Sequence, residues 1–113
     1  MDYQNTKMII DSLLKVANSA PTLSGPVSYY QQYYSNQSNM RSDVSKAEFD
    51  AWIQYVNQTL DISQRYTNWN IFTNKKIEIN QASLSGSISY IQRIQIIQQM
   101  LLNLSQQINN HNY

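Results

Sequence analysis

Six apolar side chains near the C-terminus, Tyr90, Ile94, Ile97, Leu101, Leu104 and Ile108, recur at alternating intervals of four and three residues. This is a heptad pattern, with Ile94, Leu101 and Ile108 at a and Tyr90, Ile97 and Leu104 at d, and an α-helix gathers such positions into one seam. Gln92, Gln99 and Gln106 occupy the opposite side, and Arg93 is the one charge between Tyr90 and Asn110. Ile91, Ile96, Met100 and Leu102 widen the apolar surface past a two-stranded seam, so more than one neighbouring helix is required. A chain carrying this segment is committed to helix-on-helix packing.

The rest of the sequence supplies partners. Ile9, Ile10, Leu13, Leu14, Val16 and Ala17 give a broad apolar stripe over residues 3–19, closed by Pro21. Ser45-Lys-Ala-Glu48 is a capping box, in which the serine accepts from the third helical N–H and the glutamate reaches back. Phe49, Trp52, Ile53, Val56 and Leu60 follow at helical spacing, which predicts a helix over 46–66. Residues 67–76 are ambiguous: Trp69 and Phe72 at i, i+3 could extend the helix, but the asparagines argue for a loop, and a helix end or loop is the favoured reading. The alternation in Lys75-Lys-Ile-Glu-Ile-Asn80 resembles a strand, but a lone strand has no partner.

Leu23-Ser-Gly25 recurs as Leu84-Ser-Gly86, each followed by Ser-Tyr and a glutamine. Pro26 fits the first position of a helix, since its missing N–H has no partner there in any case. Gly25-Pro26 and Ser85-Gly86 therefore read as two helix starts, opening helices over 26–38 and 85–110. Superposing the copies sets Tyr29 on Tyr90, Tyr33 on Ile94 and Met40 on Leu101. The expected fold is all-α: one domain over 1–113, an antiparallel bundle of three or four helices, with two duplicated αα-hairpins as its organising scheme.

Charge is scarce. Only 13% of residues are charged, about half the share usual in a soluble domain. Glutamine, asparagine, serine and nine tyrosines fill the difference. Amides and hydroxyls solvate a surface without mutual repulsion, which suits close packing of like copies; codon drift in an AT-rich genome would give a similar composition. A net charge of +1 gives no global attraction for nucleic acid or an anionic membrane. There is no cysteine, hence no disulfide or thiolate metal site. The N-terminus lacks the pattern of a secretory signal. No run approaches the roughly 18 apolar residues of a membrane span, so the chain reads as soluble.

No residue set announces a reaction or a cofactor. His111 stands third from the end without cysteine or acid companions and reads as a tail residue, and no Glu-x-x-His pair or glycine-rich phosphate loop occurs. Lys75 and Lys76 near Trp69 form a weak nucleic-acid candidate, too small for a binding groove. Tyr29, Tyr30, Tyr33 and Tyr34 are the sharpest surface signal. Two adjacent pairs cannot all face inward on a helix, and exposed tyrosine is typical of contact surfaces. The sequence therefore points to a non-enzymatic structural protein that self-associates through the Tyr90–Ile108 seam and the tyrosine cluster, as in a virion or phage component. The alternative is a small adaptor or inhibitor of another protein; a nucleic-acid-packaging role is disfavoured.

Overall fold

The computed structural model describes residues 2–24 and 41–111. Among them lie four α-helices and no strand: α1 (Tyr3–Asn18), α2 (Lys46–Gln64), α3 (Ile71–Ser83) and α4 (Tyr90–Asn110). Each begins where a polar group meets the unpaired N–H donors of a first turn. Asp2 accepts from Asn5 N (2.8 Å) at α1. Ser45 and Glu48 form both halves of the expected capping box at α2. Ser89 and Gln92 do the same at α4. Helix α3 has no such cap of its own; Gln64, the last residue of α2, accepts from Thr73 N (3.1 Å) and donates to Trp69 O (2.8 Å), clasping the turn between them.

Cross-helix bonds fix the topology. Gln98 Nε2 donates to Ala17 O (2.9 Å), so the start of α4 lies beside the end of α1. Asn57 meets Asn80, and Asp61 meets Lys76, which sets α2 and α3 antiparallel. Arg93 Nη1 reaches Ser83 O (3.2 Å) at the junction of α3 and α4. The result is an up-down-up-down bundle in which sequence neighbours pack antiparallel and α4 returns to α1. Helix α2 also touches α4 across the middle.

One core draws on all four helices. Ile9, Leu13 and Val16 from α1 and Trp52, Val56 and Leu60 from α2 meet Phe72 and Ile79 of α3 and the heptad residues of α4. Trp52 keeps its Nε1–H satisfied by donating to Val16 O (2.9 Å) inside that core.

Three expectations change. Residues 71–83 form a helix of their own rather than the end of α2 or a loop: Phe72 and Ile79, seven apart, supply an inward edge, and neighbouring helices hold what local propensity would not. Helix α4 starts at Tyr90 rather than 85, because Ser89 is the cap and Ser85 donates back to Ala82 O in the turn that ends α3. The second Leu-Ser-Gly therefore closes one helix rather than opening the next. The first copy's expected helix, 26–38, lies outside the described residues. Helices α1 and α2 end within two residues of expectation. Among the described residues, no helix is long and apolar enough to cross a membrane.

Candidate functional site

The heptad seam lies inside the bundle. Ile94, Ile97, Leu101, Leu104 and Ile108 are each no more than 1% exposed, and Tyr90 is half-buried against Phe49, with ring centroids 5.0 Å apart. α1, α2 and α3 cover these residues within a single chain, which corrects the expectation that they form a contact surface between chains. Tyr29, Tyr30, Tyr33 and Tyr34 lie outside the described residues.

The basic-aromatic candidate also comes apart. Lys75 pairs with Glu78 (2.6 Å) and Lys76 with Asp61 (2.9 Å). Trp69 stacks on His111, with centroids 4.3 Å apart. Both lysines are thus bound to carboxylates of the same chain. His111 is not a loose tail residue: it caps α4 and joins it to the α2–α3 turn. Beside that contact, Tyr3, Lys7, Ile10 and Asn109 line an open hollow of about 570 Å³ between the start of α1 and the end of α4.

Charged side chains concentrate at the opposite end, where they tie the α1–α2 connection to the bundle. Arg41 makes a two-pronged pair with Glu48, both contacts 2.6 Å, and donates to Thr22 O (3.0 Å). Its backbone N–H donates to Leu23 O (3.0 Å). The Arg41 hydrogen bonds, with a further one from Ser45, hold the Glu48 carboxyl at about 2. Asp43 reaches across the sequence to cap α4: Oδ2 accepts from Tyr90 N (3.1 Å) and Oδ1 from Ile91 N (2.9 Å). Burial pushes its pKa up, but these N–H donors, that of Val44 and the charge of Arg93 leave it below the ordinary value. The Arg93 guanidinium lies over the Tyr90 and Phe49 rings and donates to Ile88 O. Capping from forty-seven residues away leaves no local mark, although Ser89-x-x-Gln92 was a readable signal of where α4 starts.

Of the seven carboxylates, every one but Asp11 is engaged among the described residues in a helix cap or an ion pair: Asp2, Asp43, Glu48, Asp50, Asp61 and Glu78. The described residues contain no cluster of three or more His, Asp or Glu placed to hold a metal ion. What the surface offers instead is apolar. Tyr55, Ile62 and Tyr66 on α2 are 36%, 50% and 41% exposed, Met8 on α1 is 41% exposed, and Ile77, Leu84 and Ile96 stand out elsewhere. The chain was compared with known protein families, curated proteins and solved structures, and it matches none of them.

Proposed function

We propose that the protein is a non-catalytic assembly unit that works by packing against further copies of itself, as in a virion or another repeated-subunit structure. The observation that carries this reading is the division of labour on the surface. Nearly every acid among the described residues is engaged in a helix cap or an ion pair, while large apolar side chains stand exposed among amides and hydroxyls. Such a surface adheres by burying apolar area, with few ions to desolvate. The seam that the sequence offers for this task is occupied within the chain, so the contacts belong to the outer faces.

The test is mass in solution across a concentration series at low and high salt, with negative-stain images. A species that grows with concentration and persists in salt is expected, because apolar contacts are not screened. Collapse of the species at high salt would oppose the reading. An adaptor that binds a different protein is the second reading. It is favoured by a core that one chain completes without a partner, and a monomer at every concentration would leave it standing.

A further inference from the structure

We propose that Arg41 is a clasp that shuts the four-helix bundle at Leu23, so that residues 25–40 are an insertion the fold does not need. This goes beyond the assembly reading and does not depend on it.

The points where the chain leaves and re-enters the described bundle are neighbours. Arg41 N–H donates to Leu23 O (3.0 Å), and Arg41 Nη2 donates to Thr22 O (3.0 Å). A backbone bond of that kind sets the two Cα atoms about 5 Å apart, as in paired strands. A loop of about two to five residues is enough to cross such a gap. The chain instead spends residues 24–40 on it. Nothing in the path from α1 to α2 calls for that length.

Both sides of the junction are fastened to the bundle by bonds that use none of residues 25–40. On the α1 side, Val16 O accepts from Trp52 and Ala17 O from Gln98. On the α2 side, Glu48 accepts from Arg41 Nη1 and Nη2 (both 2.6 Å) while completing the Ser45 capping box. Asp43 caps α4, and Val44 is buried in the core. Within residues 41–44 the chain thus reaches the end of α1, the start of α2, the start of α4 and the interior. Among the described residues the core is drawn from 9–17, 44–60, 72–79 and 94–108, on both sides of the junction.

Chain entropy explains why a clasp is needed. A long loop leaves its ends free to part, and the freedom they regain grows with loop length. A short turn would hold residues 22–24 beside 41–44 covalently. With the longer connection that task falls to Arg41. Its planar fork suits the work, because a two-pronged carboxylate pair with further backbone acceptors fixes geometry as well as supplying attraction. Residues 25–40 carry four tyrosines and no charge, a composition that the bundle is then not required to accommodate.

The experiment compares urea midpoints, followed by far-UV circular dichroism, for the wild type and two loop variants. In one, residues 25–40 are replaced by a glycine–serine linker of equal length; in the other, by Gly-Asn-Gly-Ser. Each chain is made with and without Arg41→Ala. Both replacements are expected to keep the helical signal. The equal-length linker should leave the midpoint within about 0.3 M of wild type. The short turn should match or raise it, because a shorter loop costs less entropy to close. Arg41→Ala should lower the midpoint in the wild type and in the equal-length chain, and by less than about half as much in the short-turn chain. A clear fall in midpoint with the equal-length linker would make the side chains of 25–40 part of the core and overturn the proposal. Loss of fold in the short-turn chain would overturn it as well, since Leu23 and Arg41 would not be held together. An Arg41→Ala effect that is equal at both loop lengths would reduce Arg41 to a local partner of Glu48, and the clasp would fall.

Discussion

The α4 seam and the outer sides of α1 and α2 both carry large apolar side chains, yet the fold treats them in opposite ways. Along α4, five aliphatic side chains vanish into the core, and Asp43 closes the helix start from another part of the chain. On those outer sides, Met8, Tyr55, Ile62 and Tyr66 stay exposed beside a core they do not enter. The stronger the periodicity, the more completely the chain's own helices take up the stripe. The weaker stripe can stay on the surface, because tyrosine, methionine and small hydroxyls tolerate water.

Truncation within the seam is the hardest break of that contrast. Leu101→Ala should lower stability by about 2–5 kcal/mol, read as a shift in the urea midpoint. If that change weakened association without lowering stability, the seam would not be interior. Trp52→Phe comes next. It removes the indole donor to Val16 O while filling much of the same volume, and about 1 kcal/mol should be lost. Hydrogen exchange in α1 should quicken with it, since this bond joins α1 to α2.

Acid addresses the charged end, which is more exposed and therefore weaker. Glu48 and Asp43 have folded pKa values below their ordinary ones, so their contribution is complete above those ordinary values and fades as pH falls through the folded ones. For Glu48 the window runs from 4.5 down to about 2. Urea midpoints should hold steady from pH 7 to 5 and decline below 4.5, and Glu48→Gln should flatten part of that decline. The smallest change in stability should come from Ile62→Glu, within about 0.5 kcal/mol by thermal melting, because the side chain faces water in the isolated chain. A large loss would place Ile62 in the core and remove the contrast.

How far the sequence shows this fold depends on which signal each element uses. The spacing from Ile94 to Ile108 shows α4, and Ser45-Lys-Ala-Glu48 shows the start of α2, because both are local patterns with one geometric solution. Helix α3 is hidden, since its Asn-Thr-Asn content argues for a loop and its order comes from neighbours and from the Gln64 clasp. The start of α4 was visible at Ser89-x-x-Gln92, but the repeated Leu-Ser-Gly suggested an earlier one. The pairing of Lys75 and Lys76 with acids depends on helix register; an i, i+3 contact to Glu78 is foreseeable, whereas Asp61, fifteen residues back, is not. The outer surface of α1 and α2 is invisible in one dimension because it joins two segments on either side of a long connection.

The Asp43 contact also bears on the order in which the chain folds. The first two amides of α4 find their acceptor forty-seven and forty-eight residues upstream, so that end of the helix cannot be completed locally. The α2–α3 hairpin, joined by a short turn, can close at little entropic cost, whereas docking α4 under Asp43 must first close a loop that contains the whole hairpin. Residues around Asp43 should therefore gain their native interactions after the rate-limiting step, so that their substitution speeds unfolding and leaves the refolding rate nearly unchanged.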